Sequence, residues 1–184
     1  MHSERMKFHK QSIQGVYLIE PTPFVDDRGM FRRHFCADEF ARHGIAATMA
    51  QGNISENLHA RTLRGFHYLM PPHAEGKTFS CLRGRIHYVV VDLRPESPTF
   101  MKWLPFDLND SNRLSVHVPP QCANAFLTLV DGVIGHYYHS SAYVASGERG
   151  IRFDDPAFSF IWPERPEHIS EKDRSYPDFV VPRR

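Results

Sequence analysis

The sequence predicts an all-β domain, a sandwich or a closed barrel, with very little helix. Apolar stretches are short, about 4–8 residues, rich in β-branched and aromatic side chains, and each is closed by a turn signal. The 14 Pro and 11 Gly are spread along the whole chain, which interrupts it too often for long helices. No repeat, low-complexity tract or linker divides the 184 residues, so a single domain spanning 1–184 is expected.

Taken in order, residues 15–19 open the first strand. Asp26-Asp27-Arg28-Gly29 reads as a turn before the aromatic run 31–35. Residues 37–43 form the clearest helix, with Asp38 as candidate cap and Gly44 as the residue that ends it. The clearest strand is 85–93, where Ile86, Tyr88 and Val90 alternate between Gly84 and Pro95. The segment 110–112 has room for one helical turn. Residues 113–118 alternate strictly, with Leu114, Val116 and Val118 on one face. Residues 127–130 and 133–138 flank Asp131-Gly132, which reads as a hairpin turn. From about 163 the chain is polar and carries Pro163, Pro166, Pro177 and Pro182, so an irregular wrapping tail is expected. Periodicity alone does not choose between a jelly roll and another barrel.

Twenty-two basic residues stand against 21 acidic ones, a formal charge of +1. That balance gives no electrostatic case for binding nucleic acid or a membrane surface. No stretch approaches the ~18–20 continuous apolar residues of a spanning helix, and MHSERMKFHK lacks the apolar centre of a signal peptide. Cys36, Cys81 and Cys122 form no CxxC pair, which argues against a disulfide framework or zinc knuckle and fits a reducing cytoplasm.

Twelve histidines raise the question of a metal. His67, His73 and Glu75 are spaced H-x5-H-x-E, while His87 and His117 fall on expected strands. A zinc or iron site needs three or four such ligands to converge, and the chain has no HxH, HExxH or CxxC. His2, His9, His43 and His168 suggest no role. Leu63-Arg64-Gly65-Phe66-His67-Tyr68, followed by Lys77, is more informative. Gly65 permits a close backbone approach, Arg64 suits a phosphate, and a His with a Lys could supply a base and a cation for an oxyanion. A strand running into a solvated polar loop would account for the same residues.

An ordered set of short motifs runs from about residue 15 to 177. It comprises Asp27-Arg28-Gly29-Met30-Phe31, Gln51-Gly52-Asn53-Ile54-Ser55, the Leu63–Tyr68 stretch, Pro71-Pro72, Lys77, Val91-Asp92-Leu93-Arg94 and Ser97-Pro98-Thr99-Phe100. Tyr137, Tyr143, Glu148-Arg149-Gly150-Ile151, Asp154-Asp155-Pro156 and Ser170-Glu171-Lys172-Asp173 complete it. In this order the motifs resemble the dTDP-4-dehydrorhamnose 3,5-epimerase family. The resemblance implies a cupin-type jelly roll (a double-stranded β-helix) with one or two short helices. It also implies a homodimer whose N-terminal strands exchange, no metal or other cofactor, and a nucleotide-sugar as substrate.

By the same resemblance His67 is the general base, oriented by Asp173, Lys77 steadies the enolate oxygen, and Tyr137 is the acid on the opposite face. Gln51, Asn53 and Arg64 would line the sugar and phosphate positions, and Tyr143 and Glu148 would contact the nucleotide-sugar. Arg28 and Phe31 would reach into the partner's site. The expected activity is epimerisation of a nucleoside-diphosphate 4-keto-6-deoxy sugar at C3, C5 or both. The alternatives are a single-centre epimerase or 3,4-ketoisomerase of another deoxysugar pathway, a metal-dependent cupin, and a non-catalytic nucleotide-sugar binder.

Three positions depart from the family pattern. Ala123-Asn124-Ala125-Phe126 stands where many members have A-H-G-F, Tyr88 where an Asp is common, and Leu69 where Gln is usual. Asn124 is still expected to bind substrate, but the altered wall predicts changed specificity, with one of C3 and C5 favoured.

Overall fold

A computed structural model describes residues 4–182. The chain opens with β1 (Met6–Lys10), β2 (Tyr17–Pro21), β3 (Phe24–Asp26), β4 (Gly29–Phe31) and α1 (Ala37–Arg42). The barrel strands follow: β5 (Gln51–Asn57), β6 (Thr62–Leu69), β7 (Lys77–Arg83), β8 (Arg85–Asp92), β9 (Trp103–Asn109), β10 (Ser115–Val118), β11 (Cys122–Thr128) and β12 (Val133–His139). Last come β13 (Glu148–Gly150), β14 (His168–Ile169) and α2 (Glu171–Arg174). One sheet has the order β1-β2-β10-β7-β12-β5 and the other β13-β6-β11-β8-β9, with β14 parallel to β6. Two mainly antiparallel sheets closing on each other make the expected cupin-type jelly roll, with two short helices as trim.

Strand β8 shows why its apolar run is nearly continuous. Ile86, Tyr88 and Val90 point into the core between the sheets with Phe79, Leu108, Val116 and Phe126. Val89 and Val91 point the other way and are covered by Phe66, Ile151 and Phe158 from outside the barrel. Both faces are therefore dry, and each such side chain contributes roughly 1.5–3 kcal/mol. The chain after β13 supplies that outer cover through Phe158, Phe160 and Trp162. On the other sheet α1 buries Phe40 against Tyr17 and Tyr138.

The Asp92 motif is a clasp. Its buried carboxylate accepts hydrogen bonds from Arg94 Nε (2.8 Å), Ser97 Oγ (2.5 Å) and Thr99 Oγ1 (2.7 Å), tying the turn after β8. Burial works to raise its pKa, but those donors hold it down at about 2.

Several expectations need correction. Asp131-Gly132 is not a hairpin turn within one sheet: β11 pairs with β6 and β8, whereas β12 pairs with β5 and β7. The turn carries the chain between sheets and is anchored instead to the β5–β6 connection, where Asp131 Oδ1 accepts from Ala60 N. Segment 110–112 is a turn without helix, and the strand expected at 113–118 begins only at Ser115. In α1 the cap position is Cys36, with Asp38 in the first turn. The tail is irregular as expected except for β14 and α2, whose Ser170 side chain caps the N–H of Asp173.

Candidate active site

The inner face of β12 sets the first part of the site. Tyr137 lies opposite Asn53 on β5 and Phe79 on β7, while His139 lies opposite Gln51 and Lys77. Residues two apart share a face of a strand, so these side chains form two cross-strand rows pointing into the barrel. Tyr137 stacks on Phe79 (5.5 Å between centroids, 11° between planes), which fixes its ring.

The second part comes from β6 across the barrel. Gly65 has φ +109°, and a Cβ there would lie 2.5 Å from the Asn124 carbonyl oxygen. Only glycine fits this close approach, which coincides with a register shift against β11. Beyond it, His67 turns into the cavity. α2 brings Asp173 up from the tail, so that its Oδ1 lies 2.7 Å from His67 Nε2 and its Oδ2 accepts from Gly65 N at 3.2 Å. Burial alone would raise the Asp173 carboxyl, but the bonds from His67, Gly65 and the capped α2 turn hold it below the usual carboxylate range. An ionised Asp accepts only, so Nε2 carries the proton and Nδ1 keeps a basic lone pair.

His67, Lys77 and Tyr137 all line both of two adjoining cavities, of about 570 and 170 Å³. The larger also takes in Arg64, Asn124 and Asp173, and the smaller Gln51, Asn53, Tyr143 and Glu148. Lys77 Nζ sits 3.5 Å from Asn124 Oδ1 and 5.8 Å from the Tyr137 ring centroid. Crowding by protein lowers the Lys77 pKa, and the carboxylates of Glu75 and Glu148 work against that. Burial raises the Tyr137 phenol, with Arg64 pulling back, so it stays a neutral donor.

Of the residues singled out from sequence, ten meet here. Arg64 Nε donates to Asn57 (2.7 Å), Gln51 Nε2 to Asn53 (3.2 Å), and Tyr143 Oη to Glu148 (2.7 Å). Glu148 also takes Lys172. Arg28 and Phe31 do not meet them. They lie on the β3–β4 hairpin, Phe31 73% exposed, around a separate cavity with Phe24 and Met30. Of the metal candidates, His117 bonds Thr78 and His87 packs on Trp162, while His67 and Glu75 line the smaller cavity; among the described residues no three His, Cys, Asp or Glu side chains are grouped to hold a metal ion. Two neighbours went unassigned by sequence. His139 forms a hydrogen bond with Glu75 beside Lys77, and its position two residues after Tyr137 is the signal that could have placed it. Tyr88, fully buried, donates to Asn124 Oδ1 at 2.8 Å, so two of the three departures from the family pattern touch each other.

Comparison with known proteins agrees over the whole fold. The profile of the dTDP-4-dehydrorhamnose 3,5-epimerase family matches residues 10–180. The dTDP-4-dehydrorhamnose 3,5-epimerase of Sinorhizobium fredii is 36% identical over 175 residues, 95% of this chain and 90% of that one. A dTDP-4-dehydrorhamnose 3-epimerase from Streptomyces niveus is 31% identical, covering 92% and 82%. Among solved structures, the Bacillus anthracis dTDP-4-dehydrorhamnose 3,5-epimerase with TDP and PPi bound superposes with a TM-score of 0.91 at 33% identity, covering 95% and 99%.

Proposed function

The chain belongs to the dTDP-4-dehydrorhamnose 3,5-epimerase family, and on that premise we propose that it inverts C3, C5 or both of a dTDP-linked 4-keto-6-deoxy sugar. As a member of that family it is a sugar epimerase. The observation that carries the reading is the meeting of His67, Lys77 and Tyr137 at the junction of two cavities, with Asp173 on the far nitrogen of His67.

C3 and C5 both flank the C4 ketone, so removing a proton from either leaves an enolate with its charge on O4. His67 Nδ1 takes the C–H proton, and the bond's electron pair moves through the enolate to O4. The Lys77 ammonium stabilises that oxygen. Inversion requires a proton to arrive from the other face, and Tyr137 donates it; the phenolate then recovers a proton from solvent and the His67 imidazolium releases its own to solvent. Gln51, Asn53, Arg64 and Asn124 hold the sugar and phosphates, and Tyr143 and Glu148 the nucleotide end.

The site is completed in a homodimer, with Arg28 and Phe31 of one protomer reaching the other's cavity. Their position on an exposed hairpin away from their own His67 supports this. We further infer a reducing cytoplasmic setting, supported by three free cysteines; among the described residues no helix is long and apolar enough to cross a membrane.

A second reading, a single-centre epimerase, is favoured by Tyr88 and Asn124 in the wall beside Lys77. Incubating the protein with dTDP-, CDP- and GDP-linked 4-keto-6-deoxy sugars and following products by NMR tests both. Conversion of the dTDP sugar with inversion at C3 or C5 is expected. No turnover of any of the three would overturn the function.

A further inference from the structure

One charged group in the cavity has no part in the reaction just described. Glu75 lies two residues before Lys77, and its side chain is only 8% exposed. One carboxylate oxygen is bonded to His139 Nδ1; the other, Oε2, is buried with no hydrogen-bond partner among the described residues. His139 lies directly across from Lys77 in the β12–β7 register, and Glu75, His139 and Lys77 line the same small cavity. A buried carboxylate oxygen without a donor is costly unless a cation compensates it.

The surroundings of Lys77 show which groups can do this. Across its two cavities it faces His67 and Arg64 of β6, Tyr137 and His139 of β12, and, from α2, Lys172 and Asp173, the latter bonded to His67. From β11 it meets Asn124, behind which stands Tyr88 of β8; both are neutral. On β10 its partner is the apolar Val118, and His117 turns to the opposite face to bond Thr78. Glu148 of β13 already accepts from Lys172 and Tyr143. Glu75 is the remaining carboxylate in that cavity, with no Lys or Arg bonded to it among the described residues.

We propose that Glu75, held in place by His139, is the positioning residue that keeps Lys77 in its ammonium form in this chain, where position 88 carries no acid. This rests on Lys77 being the group that stabilises the enolate oxygen. Crowding lowers the Lys77 pKa, and Glu75 is the larger of the two carboxylate influences opposing it. Removing the Glu75 charge makes the ammonium easier to deprotonate and moves the alkaline limb of the rate profile to lower pH. A nearby opposite charge is worth about one pKa unit or more.

The test is the pH dependence of kcat/KM for deuterium exchange into the dTDP-linked 4-keto-6-deoxy sugar. Glu75→Gln is nearly isosteric and should shift the alkaline limb down by about one pH unit, while Glu75→Asp, which keeps the charge, should leave it near the parent position. A Glu75→Gln limb that superimposes on the parent, whatever the loss of amplitude, overturns the proposal. Lys77→Met separates the premise. If it loses exchange while Glu75→Gln is unshifted, only the role of Glu75 fails. If Lys77→Met keeps full exchange, the assignment of Lys77 fails and this proposal with it. Matching melting curves for Glu75→Gln and the parent confirm that a folded variant is being read.

Discussion

His67 Nε2 and Asp173 Oδ1 lie 2.7 Å apart although 106 residues separate them in the chain. The pairing joins a strand of the barrel to the short helix α2 of the tail. The second oxygen of Asp173 takes the Gly65 N–H, so the carboxylate holds both the imidazole and the strand that carries it. Orientation of His67, the proposed base, is thus built into the packing of the tail on the barrel.

This arrangement makes the base and the acid separable by experiment. His67→Asn should abolish both epimerisation and exchange of substrate hydrogen with D₂O. Tyr137→Phe should slow epimerisation more than exchange, since His67 can still remove and return a proton on its own face. General acid–base groups contribute about 10²–10⁴-fold, so a His67→Asn loss smaller than tenfold would remove it from the role. Asp173→Asn should lower kcat with little change in KM, because its neutral side chain no longer fixes the tautomer or steadies the imidazolium.

Assembly gives a test by complementation. Arg28→Ala leaves His67 and Lys77 of the same chain untouched, because Arg28 lies on the exposed hairpin and pairs there with Asp26. If Arg28 serves the neighbouring site, Arg28→Ala should lower activity. Mixing it with His67→Asn subunits should then restore part of it in heterodimers. Additive residual activity after subunit exchange, with no recovery, would show that the hairpin acts elsewhere.

Acid stability should report the Asp92 clasp. Its pKa in the fold is about 2, below the ordinary 3.8, so the charged form is what the fold favours. A depressed carboxylate adds stability that is full above its unfolded value and is lost as pH falls through the folded value. That contribution is about 2 kcal/mol, lost between about pH 4 and pH 2. Asp92→Asn should therefore melt lower than the parent at neutral pH and converge on it in acid. Parallel melting curves across that range would refute the clasp.

The sequence made some of this legible and concealed the rest for physical reasons. Ile86 and Tyr88 alternate with the more exposed Arg85 and His87, which reveals the start of β8; from Tyr88 onward both faces are buried, so the period of two is lost there. Strand partners are another matter. Asp131-Gly132 has the local chemistry of a hairpin, yet β11 and β12 are claimed by different sheets, a choice made by distant β5 to β8. Helix α2 was within reach, since Ser170 and Asp173 have capping spacing, but the surrounding prolines outweighed four residues. At the site, Lys77 and His67 come from opposite sheets, and no spacing rule predicts that they share a cavity. Resemblance supplied that set. The Glu75–His139 pair falls outside it and became visible only when β7 and β12 were laid side by side.

The departures at positions 88 and 124 bear on which carbon is inverted. Tyr88 Oη and Lys77 Nζ both donate to Asn124 Oδ1, at 2.8 and 3.5 Å, while Asn124 Nδ2 donates to the His67 carbonyl at 3.2 Å. Asn124 therefore bridges the strand that carries His67 and the Lys77 side chain, and Tyr88 holds it in place. Burial drives the Tyr88 pKa well up, so it remains a neutral donor through the working range. This neutral bridge cannot take or release a proton there, unlike the Asp and His that many family members carry. Sugar hydroxyls can still bond to Asn124, so binding should persist while the wall prefers one orientation of the ring. Turnover of the dTDP-linked rhamnose precursor should be poor, and exchange in D₂O should favour C3 or C5 rather than both. Mass spectrometry of product formed in D₂O reads this directly as one deuteron per molecule early in the reaction. Tyr88→Phe, which frees Asn124 from its fixed donor, should relax the preference toward two. Two deuterons entering the parent enzyme's product at similar rates, with efficient conversion, would make these positions bystanders and the enzyme an ordinary 3,5-epimerase.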